Sequence, residues 1–323
     1  MEAVIWVLDD PRPGTAAQAI GIAERLGHPH RRIKLAWNWK AHMAALVPHG
    51  SLMGVSAESG FDAPAGDAPE LVISAGRRSA PVALWLKQRY GCRIVHCMSP
   101  GLSGLFRREL FDLLVIPAHD RPVVAGNVME VLGAPHRVSP LALTQAEMAW
   151  DERLAHLPHP RIALLVGGPV RAVGMPPALA HTLGRKVSAL AVAMGGTVMA
   201  TTSRRTGDEA CDALAAGLGP AMHVLYRWGD PDANPYVGFL ATADAIIVTA
   251  DSVSMISEAC ATEAPVYVAL PELAGPRHRV MIDTFAKAGQ VRPFADSVVP
   301  WARIPLDEAG RVADEIRLRF KLG

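Results

Sequence analysis

Short apolar runs of strand length alternate with helix-patterned segments along most of this chain. In the first half these runs are "AVIWVL" (3–8), "ELVISAG" (70–76), "CRIVHCM" (92–98) and "FDLLVIP" (111–117). Strands that are apolar throughout are typical of parallel sheets, because helices cover both faces of such a sheet. After the first run, apolar residues recur at helical spacing up to Gly27, which can end the helix: Ala16, Ile20, Ala23 and Leu26. The alternation therefore predicts an α/β fold.

The same pattern restarts after a proline-rich joint within 145–160. The second set of runs is "RIALLVGGP" (161–169), "TVMATTSRRT" (197–206), "HVLYRW" (223–228), "DAIIVTAD" (244–251) and "APVYVALP" (264–271). A chain of 323 residues, half of them hydrophobic, is long enough to bury two cores. We therefore predict two α/β domains over 1–145 and 146–305, and expect the amphipathic helix in 306–323 to pack back on the first.

The composition excludes several classes of protein. Lys plus Arg number 32 against 31 for Asp plus Glu, so no excess of positive charge indicates nucleic-acid binding. The four cysteines form no CxxC pair and no His cluster has zinc-ligand spacing, which predicts reduced thiols, a cytoplasmic protein and no metal. No signal peptide is visible at the N-terminus, and the longest uncharged stretch (187–203) is split by Gly-Gly.

Peripheral contact with a membrane is left open by one segment. "KLAWNWKAHMAALVP" (34–48) interleaves tryptophans with lysines, a pattern that can meet a membrane surface or a lipid-linked acceptor. The same pattern also fits a covering helix or loop.

Five polar turns follow predicted strands: "DDPRPGTAAQ" (9–18), "SAGRRSAP" (74–81), "LLVGGPVRA" (164–172), "TTSRRT" (201–206) and "TADSVSMISEA" (249–259). In open parallel sheets, ligands bind at the carboxyl ends of strands, where helix N-termini present free N–H groups. Paired arginines at such ends suggest a phosphate or carboxylate partner, and Gly167 and Gly168 suit a phosphate approached by backbone. Ordinary turns and salt bridges are the alternative interpretation.

Glu258 is the least expected residue of the last turn. Val253, Ile256 and Cys260 fall on one helix face, which suits packing on a sheet, whereas Ser254 and Glu258 point the other way. Capping explains Asp251 or Ser252, but Glu258 lies too far into the helix for a capping box. A ligand contact and a solvated helix residue are both consistent with this position.

Acid–base candidates are fewer. His96, His119 and Asp120 follow predicted strands and carry side chains that can exchange protons. Structural histidines are the alternative. The chain contains no GxSxG elbow, no HExxH, no GxGxxG fingerprint and no P-loop.

Over nearly its whole length the sequence resembles the mitochondrial fission ELM family. The resemblance is carried by the segments "DPRPGTAAQAIGIAERLG", "LVISAGRRSAPVA", "VIPAHDRP", "VLGAPHRV", "LLVGGPVRA", "TTSRRT", "NPYVGFLATADAIIVTADSVSMISEA" and "PVYV". It implies two Rossmann-like domains whose parallel sheets face a central cleft, the GT-B type of glycosyltransferase. It also implies transfer of a sugar from a nucleotide-diphosphate sugar to an unidentified glycan or lipid acceptor, without a metal or other cofactor.

The resemblance implies roles for individual residues as well. Glu258 would bind the ribose hydroxyls of the donor, and Ser252 and Ser254 would meet phosphate or sugar. The rest of the donor site would be lined by Gly167, Gly168, Thr201, Ser203, Arg204, Arg205, Asn234, Tyr236 and Asp251. The acceptor side would carry Asp10, Gly14, Gln18 and Arg77.

One departure from the family leaves catalysis undecided. The family commonly has Gly-His where this chain has Gly14-Thr15, so a catalytic base would have to be Asp10, His96 or His119. The alternatives are a non-catalytic interaction or scaffold protein, as the recruiting role of the plant relative suggests, and a nucleotide-sugar epimerase. The nucleotide, sugar, acceptor, stereochemical outcome and oligomeric state are not specified by the sequence.

Overall fold

The computed structural model of the chain describes residues 4–44, 46, 49–60, 68–101, 107–169 and 174–321. The chain divides into two compact units, Met1–Arg137 with Asp307–Gly323, and Val138–Leu306. Each unit contains a six-stranded sheet in which all paired strands are parallel. The predicted α/β class with two parallel sheets is confirmed.

The first unit is built on a sheet of order β2-β1-β3-β4-β5-β6. Its strands are β1 (Ile5–Asp9), β2 (His30–Lys34), β3 (Leu71–Ala75), β4 (Arg93–Cys97), β5 (Leu113–Pro117) and β6 (Val128–Val131). Its helices are α1 (Pro13–Leu26), the short α2 (Ala41–Ala44), α3 (Ala80–Tyr90) and the last helix of the chain, α10 (Glu308–Phe320). Gly27 ends α1 in the left-handed conformation with φ of 74°, as predicted.

Both faces of the first sheet are packed. On one face, α1 and α10 cover the sheet through buried residues such as Ile20, Val312 and Ile316. On the other face, α3 covers it through residues such as Val82 and Leu86. Burial on both faces explains why the inner strands read as continuous apolar runs.

The second unit has a sheet of order β12-β11-β10-β7-β8-β9. Its strands are β7 (Arg161–Val166), β8 (Thr197–Thr202), β9 (His223–Tyr226), β10 (Ala245–Thr249), β11 (Val266–Ala269) and β12 (Arg292–Pro293). Its helices are α4 (Pro140–Leu154), α5 (Pro177–Met194), α6 (Asp208–Leu218), α7 (Tyr236–Thr242), α8 (Val253–Ala259) and α9 (Pro276–Lys287). Gly195 ends α5 before β8 begins, so the uncharged stretch 187–203 divides as predicted. Within the described residues, no helix is long and apolar enough to cross a membrane.

The strands that the sequence pattern did not reveal lie at sheet edges. They are β2, β6 and β12, each at the end of its sheet's strand order. An edge strand is covered on fewer sides and carries charged residues more readily. β2, with the sequence "HRRIK", accordingly buries only Ile33, and β12 is two residues long.

Candidate functional site

The strand order of the second sheet reverses at β7, which lies between β8 and β10. Ligands of open parallel sheets bind in the crevice outside the carboxyl ends of strands at such a reversal. The segments that follow β7, β8 and β10 therefore define the candidate site. They correspond to the predicted polar turns 164–172, 201–206 and 249–259; residues 170–172 of the first lie outside the described residues.

Asp251 is buried at this crevice, with 1% of its side chain exposed. Its Oδ2 accepts a hydrogen bond from the backbone N–H of Gly168 at 2.7 Å, and Nη2 of Arg205 lies 3.5 Å from the same oxygen. Its Oδ1 is also buried and has no hydrogen-bond partner among the described residues. Because a buried charged oxygen without a partner is costly, Oδ1 is suited to accept a hydrogen bond from a ligand.

The two glycines after β7 pack closely against neighbouring segments, and the approach of a phosphate to their backbone stays a prediction that these contacts weigh against. The N–H of Gly167 donates to Thr249 Oγ1 at 2.8 Å, and the N–H of Gly168 is held by Asp251. A Cβ at position 167 would lie 2.2 Å from Asp251 Oδ2, and one at position 168 would lie 2.0 Å from the carbonyl oxygen of Arg205. Only glycine fits at either position, and neither N–H is left for a phosphate.

The turn after β8 is held together by hydroxyl groups. Thr206 Oγ1 accepts from the N–H of Ser203 at 2.9 Å and lies 2.7 Å from the carbonyl oxygen of Gly167, so it joins this turn to the end of β7. Ser203 Oγ accepts from the N–H of Arg205 at 3.2 Å, and Thr201 is buried within the sheet. Ser203 and Thr201 therefore support the turn. The guanidinium groups are more accessible, since Arg204 is exposed and 32% of the Arg205 side chain is exposed.

Glu258 lies near the end of α8, partly buried, and is paired with Tyr236. The Tyr236 hydroxyl donates a hydrogen bond to Glu258 Oε2 at 2.5 Å. Burial raises the pKa of Glu258 from 4.5 to about 7, and the hydrogen bond from Tyr236 opposes this rise. Glu258 is thus neither a solvated surface residue nor a helix cap, and its pKa lies near neutral pH.

Of the other predicted residues, two support the starts of the helices that carry this pair, and Ser254 lies on one of them. Ser252 is the N-cap of α8, where its side chain accepts from the N–H of Met255 at 3.4 Å. Asn234 Oδ1 accepts from the N–H of Tyr236 at 3.0 Å and so supports the start of α7. Ser254 is partly exposed on α8, one turn before Glu258.

His278, which the sequence analysis did not select, belongs to the same charged environment. It lies in the first turn of α9, and burial, together with Arg205 and Arg277, lowers its pKa, whereas the Asp251 carboxylate raises it. Its buried Nδ1 has no hydrogen-bond partner among the described residues. The sequence signal was "GPRHR", a helix start with Pro at its first position and three basic residues. It was missed because no polar turn directly follows the apolar run of β11.

The first sheet reverses its strand order at β1, and Asp10 lies at that carboxyl edge. Asp10 is buried and its carboxylate already has several donors: the backbone and side chain of Arg12, at 2.9 Å, 2.7 Å and 3.1 Å, and the indole N–H of Trp37 at 3.1 Å. In this arrangement the carboxylate holds Arg12 and Trp37 in place. The role of Asp10 as a base stays a prediction, and these bonds weigh against it.

The other predicted residues of the first unit lie in different environments. Gln18 is buried in α1 and its Nε2 donates to the carbonyl oxygen of Gly14 at 3.4 Å, while Arg77 is exposed after β3. His119 is mostly buried, with its Nε2 3.7 Å from Asp120 Oδ1. His96 is fully buried beside Ser74, and burial lowers its pKa to about 3. A neutral core histidine of this kind is a structural residue.

Comparison with other sequences identifies relatives. The family described as Mitochondrial fission ELM1 matches residues 13–320. The mitochondrial fission protein ELM1 of Arabidopsis thaliana is 30% identical over 278 residues, which cover 78% of this chain and 64% of the plant protein. The match therefore spans less than two thirds of that relative's length. An uncharacterized protein of Rickettsia prowazekii is 26% identical, covering 98% of this chain and 99% of its own.

Solved structures with the same fold are more distant in sequence. UDP-GlcNAc 2-epimerase from Methanocaldococcus jannaschii, in complex with UDP-GlcNAc and UDP, has a TM-score of 0.55 at 12% identity, covering 98% of this chain and 100% of that one. MurG of Acinetobacter baumannii has a TM-score of 0.51 at 13% identity, covering 100% of this chain and 93% of that one. At such identity the likeness shows the fold, and it confirms the predicted GT-B-like architecture.

Proposed function

We propose that this chain, which belongs to the mitochondrial fission ELM1 family, binds a nucleotide-diphosphate sugar at the carboxyl edge of its second sheet and transfers the sugar to an acceptor hydroxyl. The observation that carries the proposal is the charged crevice at the strand-order reversal. There the Arg205 guanidinium lies 3.5 Å from the buried Asp251 carboxylate. Both groups affect the pKa of His278, which Asp251 raises and Arg205 lowers. An α/β crevice of this kind is the usual ligand site of the fold.

Each part of the donor has a suitable group on the protein. Arg205, the exposed Arg204 and the start of α9, whose N-cap Gly275 supplies no side-chain cap, suit a diphosphate because cations and helix N-termini stabilise anions. Glu258 suits the ribose, because a carboxylate accepts hydrogen bonds from neighbouring hydroxyls. The solved epimerase complex with UDP-GlcNAc and UDP, which has the same fold, supports a nucleotide sugar as the ligand class.

The transfer itself would break the bond between the anomeric carbon and the diphosphate oxygen and form a bond from that carbon to the acceptor oxygen. The acceptor proton passes to a base, and the nucleoside diphosphate leaves with the bonding electron pair. Arg205 and the α9 N-terminus would stabilise the charge that develops on the leaving diphosphate. Among the described residues, no cluster of three or more His, Cys, Asp or Glu side chains could hold a metal; metal independence stays a prediction.

A second candidate function is binding without turnover. It is favoured by Asp10, whose carboxylate is engaged by Arg12 and Trp37 rather than open to an acceptor proton. Incubation with UDP-GlcNAc separates the candidates. Release of UDP only in the presence of an acceptor extract supports transfer, isomerised sugar without an acceptor supports epimerisation, and unchanged UDP-GlcNAc supports a binding or scaffold role.

The binding proposal is tested by calorimetric titration with UDP, GDP, ADP, CDP and UDP-GlcNAc. We expect at least one nucleoside diphosphate to bind, and Arg205→Ala to weaken it roughly 10- to 100-fold, since hydrogen bonds to charged groups contribute about 1.5–3 kcal/mol. Arg185→Ala, which removes an exposed arginine on α5, is the matched control and should leave affinity unchanged. Absence of binding by all five ligands, or equal affinities for the two variants, contradicts the proposal.

A further inference from the structure

A small lobe on the first unit begins at Trp37 and closes on itself at Val55. The two residues pair in an antiparallel bridge, and the N–H of Asn38 donates to the carbonyl oxygen of Gly54 at 2.9 Å. Gly54 lies so close to α2 that a Cβ there would meet Cα of Ala41 at 2.3 Å. Residues 45, 47 and 48 of this lobe lie outside the described residues.

The inner side of the lobe is fixed to α3. The N–H of Ser51 donates to the carbonyl oxygen of Pro81 at 2.9 Å, and a Cβ on Gly50 would meet the backbone nitrogen of Trp85 at 2.5 Å. Near the start of α3, Nη2 of Arg78 lies 3.2 Å from Nε2 of His42. These contacts hold one side of the lobe against the body of the unit and leave the other side to solvent.

The outer side of the lobe exposes large apolar side chains. Trp39 is 75% exposed, Met43 50% and Leu46 62%. Successive turn hydrogen bonds join the N–H of Met43 to the carbonyl of Lys40 and the N–H of Leu46 to the carbonyl of Met43, each at 2.9 Å. The three exposed side chains thus lie close together along the chain, within residues 39–46. We name these three residues with Lys40 the Trp39 patch; Arg77 is exposed in the turn after β3, next to Arg78, which reaches the lobe at His42.

The segments that form the lobe and α3 carry more cations than carboxylates, and Asp10, which contacts Trp37, lies outside them. Within the described residues of 36–60 and 76–91, Glu58 is the single carboxylate, against the cations Lys40, Arg77, Arg78, Lys87 and Arg89. Of these cations, Lys87 is paired with Asp112. The ammonium group of Lys40 lies 5.5 Å from the centre of the Trp39 ring, so a cation accompanies the most exposed aromatic side chain.

We propose that the Trp39 patch docks the chain on the surface of a lipid bilayer that contains anionic lipids. An indole ring carries an apolar body and a polar N–H, which suits the boundary between headgroups and acyl chains. Met43 and Leu46 would enter the same boundary, and Lys40 and Arg77 would lie among anionic headgroups. Charge complementarity favours this occupant over an uncharged surface. The proposal does not depend on nucleotide binding.

Vesicle co-sedimentation of the full chain tests the proposal. We expect binding to phosphatidylcholine vesicles that contain phosphatidylglycerol, weaker binding as salt rises, and little binding to phosphatidylcholine alone. The double substitution Trp39→Ser with Met43→Ser should weaken binding tenfold or more, because two large apolar side chains would no longer be buried in the bilayer. Lys40→Glu with Arg77→Glu should weaken it by roughly tenfold or more, because it replaces two cations near an anionic surface with carboxylates.

Exposed residues of the second unit provide matched controls. Met148→Ser and Trp228→Ser remove side chains that are 77% and 55% exposed, and these variants should bind vesicles as the wild type does. The melting temperature of each variant is measured to check that it is folded. The proposal is overturned if the wild type does not sediment with anionic vesicles, if neutral vesicles bind equally well, or if patch and control variants bind alike. It is also overturned if the patch variants change only self-association, which would make the patch a protein contact. UDP titration of the same samples reports separately on the nucleotide site.

Discussion

Replacing Arg303 with methionine should lower the free energy of unfolding of the second unit by about 3–5 kcal/mol, one of the largest effects expected for any single substitution in this chain. Arg303 places its guanidinium group against the backbone at the end of α8, the helix that carries Glu258. It donates to the carbonyl oxygens of Cys260 at 2.8 Å, Thr262 at 2.5 Å and Ala264 at 2.6 Å. Methionine would fill much of the space but would remove the guanidinium donor from all three carbonyls, of which that of Cys260 still accepts from the N–H of Leu306 at 2.8 Å.

The size of the effect follows from the kind of bond. Hydrogen bonds from a charged donor contribute about 1.5–3 kcal/mol each, and a cation at a helix C-terminus is further favoured by the helix dipole. Burial lowers the pKa of Arg303 from its usual value, which is the cost of holding the guanidinium there. Arg303→Lys keeps the charge but has fewer hydrogen-bond donors and lacks the planar guanidinium group. It should therefore lower the free energy of unfolding by less than Arg303→Met does.

Urea unfolding combined with hydrogen–deuterium exchange measures this prediction unit by unit. In Arg303→Met, we expect faster exchange in peptides that cover 253–269 and unchanged exchange in peptides from the first sheet. Arg185→Met, at an exposed position on α5, is the control and should change stability by less than about 0.5 kcal/mol. If the exchange rates across 253–269 are the same in Arg303→Met as in the wild type, the guanidinium does not support α8.

Glu258→Gln should change the pH dependence of stability in a defined direction. The folded chain holds the Glu258 proton up to about pH 7, whereas the unfolded chain releases it near 4.5. Between these values the folded state binds more protons, so the contribution of Glu258 to stability falls as pH rises through this window and is constant above it. Glutamine does not ionise. The variant should therefore gain stability relative to wild type across the window, by at most about 3 kcal/mol.

The same ionisation should govern affinity for whichever nucleotide binds in the calorimetric titration. Ribose hydroxyls donate to the carboxylate more strongly than to the neutral acid, so the affinity of the wild type should rise as pH passes through about 7. Glu258→Gln should abolish this rise. Tyr236→Phe removes the hydrogen bond that opposes the raised pKa of Glu258. It should therefore move both the fall in stability and the rise in affinity to higher pH. A constant stability difference between wild type and Glu258→Gln from pH 4.5 to 7 contradicts the predicted burial effect on Glu258.

Inner elements of the fold could be predicted from sequence because their signals are local. The strands β1, β7 and β10 each contain a run of at least four consecutive apolar residues, since both faces of each sheet are covered. Gly27 and the Gly-Gly after Met194 mark helix ends by the conformation that glycine allows. Edge strands such as β2 lack this pattern because less of their surface is buried.

The candidate site could be predicted only in outline. The positions of Asp251, Arg205 and Glu258 after strands of a parallel sheet follow from the order of elements along the chain. Their partners do not, because each partner comes from a distant part of the sequence: Gly168 for Asp251 and Tyr236 for Glu258.

In two places tertiary contacts weigh against a role that local spacing suggests, and both roles stay predictions. A Gly-Gly after a strand is typical of a phosphate turn, yet Thr249 and Asp251 occupy both N–H groups. Asp10 at a strand end is typical of a catalytic acid or base, yet Arg12 and Trp37 surround its carboxylate. In both cases tertiary contacts use the groups that the pattern had assigned to a ligand.

A crystal structure of the chain soaked with the nucleotide that binds most tightly in the calorimetric titration tests the central claim most directly. The account predicts density for the diphosphate beside Arg205 and the start of α9, and ribose hydroxyls within hydrogen-bond distance of the Glu258 carboxylate. It is contradicted if, at saturating ligand, the carboxyl edge of the second sheet is empty or the nucleotide binds elsewhere on the chain.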